Sequence, residues 1–194
     1  MLFKVCGITD IDDAFLCIDQ GADLIGVVLS EKSPRKGTPR LVRDLVDQGY
    51  ETVAVYTSTE DALRMGGVEK YAQIHYRADI DDILKIGMDG RKIIGVVDID
   101  SEDYVSYYNK IRGHCHMVLL ESRKGISARM EEISPLLGGK TGVAGKIGEE
   151  NIDVILKYNP CLVDLSSSLE SYPGKKDPDR VRSFFGRIKN EIPH

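Results

Sequence analysis

The chain has no long apolar run and no apolar leader-like segment behind Met1, so hydropathy offers neither a membrane-spanning helix nor a secretory signal, and a cytoplasmic protein is expected. It also lacks a basic cluster. Its 26 Lys and Arg against 31 Asp and Glu leave a net charge of −5, which argues against nucleic acid or an anionic membrane as a partner. Four cysteines (Cys6, Cys17, Cys115 and Cys161) lie far apart, with no C-x-x-C and no Cys/His pair at zinc-finger spacing, so reduced thiols and no structural metal are expected. The one dense stretch, Gly113-His114-Cys115-His116, is a poor chelate because neighbours on an extended chain point opposite ways. No composition break divides the chain, so one domain is expected over 1–194. Two nucleotide motifs are missing as well. Cys6-Gly7-Ile8-Thr9 is not G-x-G-x-x-G, and Gly139-Lys140-Thr141 has Ser134 where a P-loop needs its first glycine.

What the chain does have is alternation. Leu2 to Val5 reads as a strand, Gly7 permits the turn after it, and Thr9 or Asp10 can cap a helix over Asp12 to Gln20 that Gly21 ends. Leu24 to Leu29 is continuously apolar, the mark of a strand buried on both faces. The loop from Ser30 to Pro39 leads to a helix over Arg40 to Gln48. The same reading predicts strands over Glu51 to Tyr56, Tyr71 to His75, Arg91 to Val97, His116 to Glu121, Thr141 to Gly145 and Cys161 to Leu165. Helices are expected over Ser58 to Met65, Asp79 to Ile86, Ser101 to Ile111, Ala128 to Leu137, Glu149 to Tyr158 and Pro178 to Lys189. Eight strand-plus-helix units in strict alternation imply a single compact (β/α)8 TIM barrel, since eight parallel strands can close and leave no edge. An open doubly wound sheet, the rival, usually has fewer strands and a glycine-rich first turn.

Closure would gather every strand's carboxyl end at one mouth, making neighbours of Cys6, Arg35, His75, Asp98, Glu121, Gly145 and Ser166. A thiol there could serve as base or nucleophile, although a strand-end cysteine taken alone is more often a small packing residue. Loops after strands seven and eight of such barrels hold phosphate. Here they read Ala144-Gly145-Lys146-Ile147-Gly148 and Asp164-Leu165-Ser166-Ser167-Ser168. Gly145, Lys146, Ser166, Ser167 and Ser168 are therefore the candidate phosphate residues, by small size, free donors and one added charge.

These residues resemble the phosphoribosylanthranilate isomerase family of tryptophan biosynthesis. The resemblance rests on Lys4-Val5-Cys6-Gly7-Ile8-Thr9, Gly21 to Val28, Ser33-Pro34-Arg35, Gln73-Ile74-His75, Leu119-Leu120-Glu121, Ala144-Gly145 with Glu150-Asn151-Ile152, and Val163 to Ser167 with Glu170 and Pro173 to Asp177. It implies an Amadori rearrangement of a phosphorylated aminosugar by acid and base, with no cofactor, in a monomer or homodimer. In the family the strand-one cysteine is the base and an aspartate ending strand six is the acid. Cys6 matches directly, while Glu121 stands one methylene longer at the acid position. Arg35 resembles the arginine that pairs with the anthranilate carboxylate, a task its planar fork suits. His75 resembles a histidine at the end of strand four and is expected to support the bound substrate without transferring a proton.

Three departures stand out. The family's glycine-rich stretch after strand six is replaced by Ser122 to Ser127, and Lys146 and Ser168 occupy positions where the family carries glycine. Left-handed backbone at either would cost about 1 kcal/mol or more. Loss of the acid and the loop glycines would instead leave a barrel that binds a sugar phosphate without turning it over.

Overall fold

Eight short, mostly apolar segments pair in chain order, and the last closes on the first. The computed structural model describes residues 1–191; residues 192–194, the end of the expected domain, lie outside the described residues. The strands are β1 (Leu2–Cys6), β2 (Leu24–Val28), β3 (Thr52–Tyr56), β4 (Tyr71–Ile74), β5 (Lys92–Asp98), β6 (Met117–Glu121), β7 (Thr141–Ala144) and β8 (Leu162–Leu165), all parallel. At the seam Lys4 lies opposite Asp164 and Val5 opposite Leu165. The expected (β/α)8 barrel is the observed architecture.

Strand alternation creates two apolar layers. Inward side chains such as Leu24, Val53, Ile94, Met117 and Leu119 fill the barrel. Outward ones such as Phe3, Val27, Leu120 and Val163 meet the helices, Phe3 packing edge-on against Phe184 and Phe185. Those helices are α1 (Ile11–Gln20), α2 (Pro39–Asp47), α3 (Thr59–Met65), α4 (Ile80–Gly87), α5 (Tyr104–Ile111), α6 (Met130–Ile133), α7 (Ile152–Leu156) and α8 (Pro178–Glu191). Asp10, Thr38, Ser58 and Asp79 cap the first four by accepting from a backbone N–H in the first turn, which fixes each loop where it leaves its strand. Among the described residues no helix is long and apolar enough to cross a membrane.

Three helices depart from the sequence reading. α5 begins at Tyr104 rather than Ser101 because Ser101 folds back on the Asp98 carbonyl. The Asp103 carboxylate leaves its own helix uncapped and pairs with Arg77. The sixth helix is a single α-turn between two 3-10 turns, Ser127–Arg129 and Ser134–Leu136, the latter carrying Pro135, which has no N–H to continue a helix. α7 is shorter than expected because the Asn151 side chain is used in the preceding loop. A hairpin that the sequence reading did not contain, β9 (Glu170–Tyr172) with β10 (Lys175–Lys176), follows β8.

Candidate active site

Strand alternation puts Lys4 and Cys6 on the inner face of β1, and Asp164 and Ser166 on the facing side of the seam. Lys4 is fully buried, and its ammonium donates to Asp164 at 2.7 Å. Burial works against that ammonium, but the Asp164 carboxylate outweighs it and Cys6 adds to it, so the Lys4 pKa stands raised. Cys6 sits directly above. Burial pushes its thiol up, Lys4 pulls the other way, and Asp164 pushes it up again, for a net raised value. Gly26 on β2 makes room for both: a Cβ there would lie 2.9 Å from Cys6 Sγ and 3.0 Å from Lys4 Cε.

Across the barrel, Glu121 ends β6 and His75 follows β4. His75 Nε2 lies 3.2 Å from Glu121 Oε2. Burial favours the neutral carboxyl, but the His75 hydrogen bond and charge, with Arg123 and Lys4, outweigh it and hold Glu121 below its ordinary value. Gln73 Nε2 lies 3.5 Å from His75 Nδ1, while Gln73 Oε1 is buried without a partner among the described residues.

Cys6, His75 and Glu121 line one cavity of about 330 Å³, together with Arg35 and the loops after β7 and β8. Gly145, Lys146, Ser166 and Ser167 reach it; Ser168 does not line it, and its buried hydroxyl has no partner among the described residues. Asp98 stands apart, in a neighbouring cavity of about 260 Å³ that shares His75 and Glu121 as a wall.

The two rim loops present donors. The N–H groups of Lys146, Ile147, Ser167 and Ser168 make no hydrogen bond to protein among the described residues. The Asn151 side chain pins the first loop, donating to the Lys146 carbonyl and accepting from Gly148 N–H. Gly145, at φ 113°, lies so close to Ser122 that a Cβ would overlap the Ser122 carbonyl. Lys146 is left-handed at φ 50°, so the strain expected of a missing glycine is present there; Ser168 is not left-handed and carries none. The rebuilt loop after β6 is fastened by Asp100, which accepts from Ser122 Oγ and Arg123 N–H.

Arg35 is held from behind. Its Nε and Nη2 donate to Glu170 at 2.8–2.9 Å, and the buried Lys176 ammonium donates to Glu170, at 2.9 Å, and to the Cys6 carbonyl, at 2.7 Å. Lys175 beside it reaches Asp10 and Asp13 at the start of α1. The hairpin therefore straps the β8 loop onto the first loop and aims the free edge of the guanidinium at the cavity.

The family model for N-(5'-phosphoribosyl)anthranilate isomerase matches residues 3–187. The chain belongs to this family. A curated isomerase of that name from Thermoplasma volcanium is 38% identical over 193 residues, covering 99% of this chain and 98% of the relative. The phosphoribosyl anthranilate isomerase structure from Thermus thermophilus superposes with a TM-score of 0.83 at 25% identity, covering 99% of this chain and all of the other. A further isomerase structure, solved with reduced 1-(o-carboxyphenylamino)-1-deoxyribulose 5-phosphate, gives 0.84 at 26% identity over 98% of this chain and 100% of its own.

Sequence reasoning named Cys6, Arg35, His75 and Glu121, which line the cavity, but gave no site role to Lys4, Gln73, Asp164, Glu170 and Lys176, although they lie in the stretches that carry the resemblance. Charged or amide side chains inside strand segments, two residues from a candidate and so on its face, were the available signal for Lys4, Gln73 and Asp164.

Proposed function

We propose that this chain catalyses the Amadori rearrangement of N-(5-phosphoribosyl)anthranilate to 1-(2-carboxyphenylamino)-1-deoxyribulose 5-phosphate, a cytoplasmic step of tryptophan biosynthesis. One observation carries the reading: a thiol on β1 and a carboxyl on β6 share one sugar-sized cavity whose rim offers unpaired N–H donors. The substrate phosphate sits at that rim, on the N–H groups of Lys146, Ile147 and Ser167, with the Lys146 ammonium adding charge. The free edge of Arg35 takes the anthranilate carboxylate.

The steps balance as a single proton exchange. An acid at Glu121 protonates the ribose ring oxygen as the C1–O bond breaks, and the anilino nitrogen lone pair forms the C1=N iminium. The Cys6 thiolate then removes the C2 proton; the C2–H electron pair becomes the C1=C2 bond as the C1=N π pair returns to the anilino nitrogen, giving a neutral enolamine. Protonation of C1 and loss of the C2 hydroxyl proton give the ketone. Lys4 beneath Cys6 favours the thiolate, which makes the pair of buried charges part of the chemistry.

The experiment is complementation of a tryptophan auxotroph lacking this step, followed by assay of purified protein. Cys6→Ser and Glu121→Gln are expected to lower turnover by at least a hundredfold while melting temperatures stay within a few degrees. Binding of the reduced product analogue without any turnover by the wild type would establish the alternative, a sugar-phosphate-binding barrel.

A further inference from the structure

The proposed reaction needs a proton at Glu121 and none at Cys6 in the same molecule. The surroundings of each group favour the reverse, since burial keeps the thiol protonated and His75 keeps the carboxylate charged. The active form therefore needs a second place for the acid proton, next to Glu121 and reachable from solvent. His75 is 3.2 Å away on the adjacent inner wall, with its side chain about one-third exposed.

We propose that His75 stores the proton that Glu121 delivers to the ribose ring oxygen, the two side chains acting as one acid. This rests on the isomerase reading and makes His75 a positioning residue acting through Glu121, where the sequence reading expected support alone. The chemistry of imidazole and two features of the geometry support it. Imidazole shuttles protons well because either ring nitrogen can give or take one. Both nitrogens have an acceptor at hand: Nε2 faces Glu121, and a half-turn of the Gln73 amide would bring its unpartnered Oε1 to Nδ1. His75 and Glu121 also form the wall between the substrate cavity and the second one, through which solvent can reload the proton from the side away from the sugar.

The charges facing this pair come from five elements. Lys4 and Cys6 lie on β1, Asp164 on β8, and Asp98 at the end of β5. Arg77 follows β4 and Arg123 follows β6. Lys4 and Arg123 stabilise the carboxylate, whereas Asp164 repels it and attracts the imidazolium. In the active form Cys6 is a thiolate, His75 an imidazolium and Glu121 a carboxylate. The proton passes from Nε2 to Glu121 and from Glu121 to the ring oxygen as the C1–O bond breaks, leaving neutral imidazole and carboxylate. The C2 proton then converts Cys6 to the thiol. Return of one proton from Cys6 to His75 through solvent resets the site.

The test compares wild type with His75→Gln and His75→Asn, which keep a hydrogen-bond donor but cannot carry the proton, and with His75→Ala in added imidazole. Initial rates are followed from pH 5.5 to 9.5, and melting temperatures confirm folding. In the variants kcat at pH 7.5 is expected to fall ten- to a hundredfold with KM within threefold. The alkaline limb of kcat/KM should move at least one pH unit lower, because a lone carboxyl loses its proton earlier than the pair does. Imidazole should restore His75→Ala at least fivefold, and acetate should not. An alkaline limb that stays in place in whichever of the Gln and Asn variants folds overturns the inference, whatever happens to kcat. A wild type without turnover overturns the isomerase reading and this inference together; an active wild type with an unmoved limb in the variants overturns this inference alone.

Discussion

Replacing Lys4 by Met tests the electrostatic base of the site. The ammonium is fully buried, contacts Asp164 at 2.7 Å and sits under Cys6. Removing it leaves a carboxylate in an apolar barrel without its counter-charge, which costs about 3–5 kcal/mol. For a chain of this size that lowers the melting temperature by about 10 °C at pH 7. The sign of the pH dependence follows from Asp164. Its carboxyl is already raised by burial, with Lys4 opposing, and loses that opposition in the variant. A group whose folded pKa lies above its unfolded one destabilises at high pH and stops doing so as pH falls through the folded value. The deficit should therefore shrink as pH is lowered from 7. Adding Asp164→Leu should bring stability back to within about 1 kcal/mol of the wild type, since a buried ion pair is worth little against apolar packing. Thermal melts of both single variants and the double variant complete the cycle, and iodoacetamide labelling of Cys6 should slow in Lys4→Met as its thiol rises further. Additive single and double effects, or a Lys4→Met loss below about 1 kcal/mol, would refute the coupling.

Other outcomes can be measured independently. Gly26→Ala places a methyl 2.9 Å from Cys6 Sγ and 3.0 Å from its Cα, so it should displace the thiol. Loss of about 1–3 kcal/mol in stability and a fall of about a hundredfold in kcat are expected. Lys146→Ala and Lys146→Gly should both raise KM about tenfold by removing the ammonium, a change of ~1.4 kcal/mol. The glycine variant should melt no lower than the alanine one, because φ 50° costs an L-residue about 1 kcal/mol. Burial acts to raise Glu170, but Arg35 and Lys176 prevail and hold it below the usual carboxylate range. Its contribution is thus full above the unfolded carboxylate value and lost as pH falls through the depressed one. Glu170→Gln should be less stable at pH 7, and its melting temperature should fall less steeply than the wild type's from pH 6 to 3.

The elements most legible in the sequence were those whose local chemistry and burial agree. β2 is apolar throughout because both its faces are covered, and Asp10, Thr38, Ser58 and Asp79 announced their helices through cap chemistry that acts within four residues. Cys6 and Glu121 could be placed at one mouth because closure of the barrel brings strand ends together, while their roles came from the resemblance. The hairpin was not legible. Glu170, Lys175 and Lys176 look like solvated charges until Arg35, Asp10, Asp13 and the Cys6 carbonyl, more than 130 residues away, are known to be their partners. Lys4 and Asp164 were hidden in the same way, since each looks misplaced in its strand until the other, 160 residues distant, neutralises it. Helix six misled because Pro135 divides a run whose apolar spacing still looks helical.

The seam between β1 and β8, reinforced by Lys176 on the Cys6 carbonyl, gives the polypeptide a particular order of assembly. Contacts spanning 160 and 170 residues close late, because the loop they span must first lose its conformational freedom. During synthesis Lys4 and Cys6 emerge from the ribosome long before Asp164 and Lys176, the partners of the Lys4 ammonium and the Cys6 carbonyl. A nascent chain that stops short of Lys176 therefore holds the β1 thiol without the ammonium that clamps its carbonyl, and the seam gains that fastening only once the hairpin after β8 has been made.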